Sequence, residues 1–189
     1  MNELKAFLNQ IYEVEEEAME AYLACWQTFE LPKRSTMTTA GETERYMYYV
    51  VSGVQKSYFI HNNREHIIAF TYPPSFSGVP DSFFDQSPSP CFLETVSDSS
   101  FLRISFQQHE TMINRYRSLE TLFRKTVEQY LSGLLQRHYE LMSLSVEERF
   151  RTFTKRSPHL FQLVPQKDLA AYLRIDPTNF SKLMGSIVI

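Results

Sequence analysis

Val164-Pro-Gln-Lys-Asp-Leu-Ala-Ala-Tyr-Leu173, the break Arg174-Ile-Asp-Pro177 and Thr178-Asn-Phe-Ser-Lys-Leu-Met184 decide how this chain is read. The outer segments carry apolar residues at helical spacing. Asp176-Pro177 is a helix-start signal: an acid at the N-cap, then proline at the first helical position, where its missing N–H costs nothing. Two short helices meeting at so tight a break form a helix-turn-helix unit, whose second helix lies in the DNA major groove. Leu169, small Ala170 and Leu173 would face Phe180, Leu183 and Ile187 across the crossing. Thr178, Asn179, Ser181 and Lys182 remain as the polar face, with Gln166 and Lys167 opening the first helix. Asn suits a base edge; Thr, Ser and Lys suit phosphates, unless Lys182 reaches a guanine. Two amphipathic helices that only pack together would show the same pattern, so both readings stay open here.

Working backwards, Ser145-Val-Glu-Glu148 is a capping-box pattern that starts a helix over about 146–155, ended by Ser157-Pro158. It sets a boundary between a unit at 1–144 and a terminal unit at 145–189. The terminal unit holds seven Lys/Arg against four acids, while the preceding residues hold twelve bases and eighteen acids. A basic tail on an acidic body matches a modular DNA binder. Upstream, about 107–143, Met112, Tyr116, Leu119, Leu122, Phe123, Val127, Tyr130, Leu131, Leu134, Leu135, His138, Leu141 and Met142 form a long apolar stripe, with a break expected near Ser118. Such a helix needs a partner for its stripe. The stripe covers more than one face, which predicts packing on the body at its start and on a second copy through Val127, Leu131, Leu134, Leu135 and His138. A core helix within one domain is the alternative.

Residues 3–12 and 15–28 are helical by spacing, and from about residue 29 the period changes. Tyr46–Val51, Gln55–Ile60, Glu65–Phe70, Phe92–Val96 and Ser100–Ile104 are strand candidates, with a hairpin turn at His61-Asn-Asn-Arg64. Proline makes Pro73-Pro74 and 80–90 read as irregular loop. The expected architecture is α+β: N-terminal helices, a β-roll or jelly-roll barrel, a long dimerisation helix and a C-terminal helix-turn-helix bundle.

Composition narrows the function classes. The chain has 189 residues, 43% of them apolar and 22% charged, with a formal net charge of −3, so it is a folded protein and no general polyanion binder. Cys25 and Cys91 are distant from each other and fit free thiols in a reducing compartment; no leader or spanning segment is read, and the expected location is the cytoplasm. The five histidines form no His-Glu-x-x-His helix, and five dispersed glycines form no phosphate loop. No catalytic residue, metal or cofactor is expected.

Ala40-Gly-Glu42 followed by Tyr46-Met-Tyr-Tyr-Val-Val-Ser-Gly53, together with 164–183, resembles the Crp/Fnr superfamily of transcription regulators over nearly the whole chain. The resemblance implies a cyclic-nucleotide-binding-like roll, a homodimer on a two-fold-related double-stranded operator, and an effector in the roll that biases the helix-turn-helix. Its phosphate cassette departs: Gly78 is kept, Val79 stands where the family has Glu, and the Ser89-Pro-Cys91 region has no Arg. Without that guanidinium, cyclic AMP is not the expected effector. Phe70, Tyr72, Phe76, Gly78, Phe83 and Phe84 are the expected surroundings of another small molecule, or of a filled interior. Arg174 replaces the family's turn glycine, which predicts a strained or remodelled turn. Asn179 replaces an acid and Lys182 an arginine. The rival to a DNA-binding regulator is therefore a divergent relative that senses a ligand or binds protein without reading DNA.

Overall fold

The computed structural model describes residues 1–185. Helices α1 (Asn2–Ile11) and α2 (Glu16–Leu23) precede strands β1 (Gln27–Leu31), β2 (Thr36–Thr38), β3 (Tyr46–Ser52), β4 (Gln55–His61), β5 (Arg64–Thr71) and β6 (Ser75–Ser77). The short helix α3 (Pro80–Asp85) then leads to β7 (Phe92–Thr95) and β8 (Ser99–Ser105). Helices α4 (Phe106–Arg115), α5 (Arg117–Ser143), α6 (Val146–Arg156), α7 (Leu160–Leu163), α8 (Gln166–Leu173) and α9 (Pro177–Gly185) follow among the described residues. The strands form two four-stranded antiparallel sheets, ordered β1-β8-β3-β6 and β2-β7-β4-β5. This is the α+β architecture expected, with the roll between its N-terminal and C-terminal helices.

Local chemistry sets the turns. Asn62 and Asn63 take φ of 50° and 57°, the paired left-handed residues of a two-residue hairpin, and close β4 on β5. Gly53, at φ 91°, joins β3 to β4; a Cβ there would lie 2.5 Å from the Asp98 carbonyl oxygen and 2.8 Å from Ser99 Cα, so only glycine fits. Complete capping boxes start α4 at Ser105/Gln108 and α6 at Ser145/Glu148.

Two expectations are corrected. The helix expected over 15–28 ends at Leu23, and residues 27–31 form an edge strand. Phe29 lies opposite Phe101 on β8 and packs under the Arg103 guanidinium at 3.9 Å, so a long-range partner overrides the local period. The proline-rich 80–90 loop contains α3, with Pro80 in its first turn. The helix break expected near Ser118 falls at Tyr116 (φ −122°, ψ 112°).

The main core joins one face of the first sheet (Met47, Tyr49, Leu102, Ile104) to Leu4 and Leu8 of α1, Met19 and Tyr22 of α2, and Leu119, Leu122 and Phe123 of α5. A second core lies around the terminal helices: Phe150, Phe153, Leu160, Leu169, Ala170, Leu173, Ile175 and Phe180. Val54 and Val96 of the roll belong to this same cluster, with Phe70 and Tyr72 packed on it. The terminal unit thus shares a core with the roll.

Candidate functional site

The α8–α9 pair meets at a left-handed residue. Arg174 has φ 53° and ψ 46°; its N–H reaches the Ala170 and Ala171 carbonyls, and Ile175 N donates to the Ala170 oxygen at 2.9 Å. Asp176 then caps α9, its Oδ1 accepting from Thr178 N at 2.9 Å and Asn179 N at 3.3 Å. Leu169, Ala170, Leu173 and Phe180 are buried between the helices, and Leu183 packs partly against them. Ile187 lies outside the described residues. Thr178, Asn179, Ser181 and Lys182 are all exposed on α9, and Gln166 and Lys167 are exposed on the first turn of α8.

The turn keeps its left-handed form despite Arg174, and two other arginines support it. Arg149 on α6 donates from Nε to the Leu173 carbonyl at 3.1 Å, from Nη2 to that of Arg174 at 3.5 Å and from Nη1 to that of Leu144 at 2.6 Å. Arg137 on α5 donates to the Tyr172 carbonyl and lies 3.9 Å from the centre of the Tyr172 ring. Both cations thus meet the negative end of α8, where unpaired carbonyls gather. Sequence reasoning missed these residues because their partners lie 24–35 positions away, beyond any local spacing rule.

Helix α8 is also fastened to the roll. Lys56 on β4, buried, reaches Asp168 on α8 at 3.4 Å, Glu65 at 3.0 Å and Glu94 at 3.9 Å. Burial opposes its charge, but the Glu65 hydrogen bond and the three carboxylates together hold its pKa above the ordinary lysine value. Phe70 meets Tyr172 at 5.3 Å, Tyr72 meets His159 at 4.5 Å, and the Tyr72 hydroxyl lies 2.6 Å from Ser157 Oγ.

Phe70 and Tyr72, expected either to surround a small molecule or to fill the interior, do not line the cavity of the roll. Alternation along β5 turns them to the terminal helices, while Ala69 and Thr71 turn to a cavity on the other side. That cavity, about 610 Å³, lies between the roll, α1, α3 and α5, and Phe76, Gly78, Phe83 and Phe84 do line it. The aromatic residues leave the space open. Val79 is the N-cap of α3, Pro80 supplies no N–H, and Asp81 places a carboxylate in the first turn. Among the described lining residues there is no Lys, Arg or His.

On α5 the apolar stripe divides. Leu119, Leu122 and Phe123 are buried, whereas Val127, Leu131, Leu134 and Leu135 are 40–54% exposed, and His138, Tyr139 and Met142 are exposed beside them. Val127 and Leu134 also reach the cavity.

A roll whose cavity is backed by a long helix, followed by paired short helices, defines a class of protein. Residues 28–116 match the sequence model of the cyclic nucleotide-binding domain. No curated protein matches the sequence. FixK2 from Bradyrhizobium japonicum superposes with a TM-score of 0.72 at 20% identity, covering 85% of this chain and 83% of that one. CooA from Carboxydothermus hydrogenoformans gives 0.68 at 14%, covering 95% and 83%. A protein of Eubacterium rectale described as a crp/fnr-family transcriptional regulator gives 0.72 at 10%, covering 92% and 83%. The chain has the Crp/Fnr-type fold, and its roll is similar to the cyclic nucleotide-binding domain. Among the described residues no helix is long and apolar enough to cross a membrane.

Proposed function

We propose that the chain is a dimeric DNA-binding transcription regulator, controlled by a small-molecule effector other than cyclic AMP. The observation that carries this reading is the α8–α9 unit itself. Its apolar faces are consumed in one core while Thr178, Asn179, Ser181 and Lys182 stand together in solvent on α9. In this reading α9 enters the major groove, Asn179 and Lys182 lie nearest the base edges, and Thr178 and Ser181 nearest phosphate. Gln166 and Lys167 contact the backbone from the start of α8. The exposed apolar length of α5 is the surface on which a second copy packs, and pairing sets the two α9 helices to read a two-fold site. Regulator neighbours of the same fold support the role.

The rival reading, a sensing or protein-binding module that does not read DNA, draws on the buried attachment of α8 to β4 and β5. Selection from random duplexes followed by a salt series separates the two. An enriched inverted repeat, bound with an affinity that falls steeply as salt rises, is the expected result. Lys182→Ala should then weaken binding by about 1 kcal/mol or more, with relaxed preference at one base pair if Lys182 reads a base and a uniform loss if it holds phosphate. No enriched site and no salt-dependent binding would favour the module.

A further inference from the structure

We propose that the cavity between the roll and α5 takes an uncharged, largely apolar small molecule. The proposal rests on reading this cavity as the effector site, and it adds the chemistry of the ligand. Size is the first argument: about 610 Å³ falls within the range of pockets that enclose a small organic ligand. The walls are the second, for Phe7, Met47, Phe76, Phe83, Leu93 and Phe123 present ring faces and aliphatic or thioether carbon to the space. Such surfaces gain from removing apolar area from water and return nothing to a solvated charge.

Charge is the third argument and the most discriminating. Asp81 is the one charged side chain among the described lining residues. An anionic ligand entering here would shed water without meeting a cation, and the fixed charge it met would repel it. The start of α3 gives no relief, since Pro80 has no N–H and Asp81 occupies the first turn. Apart from Asp81 the polar side chains of the lining are uncharged, among them the hydroxyls of Ser57, Ser77 and Tyr130 and the amide of Gln129, which suit a neutral hydroxyl, carbonyl or amide on the ligand.

The test is a titration of the full chain, in its native oligomeric state, with the neutral dye N-phenyl-1-naphthylamine. Displacement by 1-dodecanol, dodecanoate and cyclic AMP follows. The expected result is a saturable fluorescence rise, reversed by dodecanol at roughly tenfold lower concentration than dodecanoate and not reversed by cyclic AMP. Asp81 is exposed, so Asp81→Lys should fold normally. It should improve displacement by dodecanoate severalfold and leave dodecanol unchanged. Ala69→Phe, which fills the cavity, should weaken dye binding severalfold at unchanged circular dichroism; if it does not fold, Asp81→Lys decides alone. Absence of saturable binding, displacement by cyclic AMP, or equal potency of dodecanoate and dodecanol would overturn the proposal. So would dye binding seen only in a monomeric variant, because side chains of the second copy would then fill the space. The duplex selection is read without dye, so a DNA binder with no ligand and a ligand binder indifferent to DNA give different outcomes.

Discussion

Arg174 holds a conformation, φ 53° and ψ 46°, that costs a residue with a side chain roughly 1 kcal/mol. Arg149 and Arg137 offset this by donating to the carbonyls at the end of α8. Arg174→Gly should therefore stabilise the protein by about 0.5–1 kcal/mol, and Arg149→Ala should destabilise it by about 2 kcal/mol, both measured by denaturant unfolding. A second residue-scale effect concerns His109, buried among Phe83, Phe84 and Phe123 with Nδ1 3.0 Å from the Tyr22 hydroxyl. Burial pushes its pKa down from 6.5 to about 4. Between those values the unfolded chain binds more protons than the folded one, so stability falls as pH drops through that window. The loss should reach about 3 kcal/mol near pH 4 and be absent in His109→Gln, as unfolding free energies measured from pH 7 to 4 would show.

Elements were legible in the sequence wherever their ends carry their own chemistry. Ser145, Asp176 and the Asn62-Asn63 pair each satisfy or reshape neighbouring backbone, so the starts of α6 and α9 and the β4–β5 turn are local decisions. Strands β1 and β2 are not, because short edge strands take their identity from the strands they meet, here β8 and β7. Helix α5 lies between these cases. Its stripe is periodic and visible, but only packing divides it into a half bound to the core and a half facing solvent. If that second half joins two copies, Leu131→Glu should raise the dimer dissociation constant roughly a hundredfold, since each interface would bury an unpaired carboxylate. Leu131 is 54% exposed and does not line the cavity, so ligand binding should be unaffected. Sedimentation equilibrium measures the first effect and dye titration the second.

At the scale of the whole molecule, β5 lies between the cavity and the terminal helices. Ala69 and Thr71 face the cavity, and Phe70 and Tyr72 grip the other side, where Lys56 and Asp168 complete the attachment. Breaking a buried ion pair costs about 3–5 kcal/mol when it strands a charge, but Lys56 would keep Glu65 and Glu94. Asp168→Asn should thus cost nearer 2 kcal/mol and loosen the terminal unit, read as faster hydrogen exchange in α8 with the first core unchanged. The sequence by itself determined the order and kind of most elements, the helix-turn-helix and the absence of a guanidinium from the cassette. Those features rest on periodicity, caps and residue identity, which act within a few positions. Tertiary structure alone decided that Phe70 and Tyr72 hold the terminal helices instead of lining a cavity, that Arg149 and Arg137 support the turn, and that the aromatic residues leave the interior open. A β-strand presents opposite faces at successive residues, and which face meets which neighbour depends on strands and helices far along the chain.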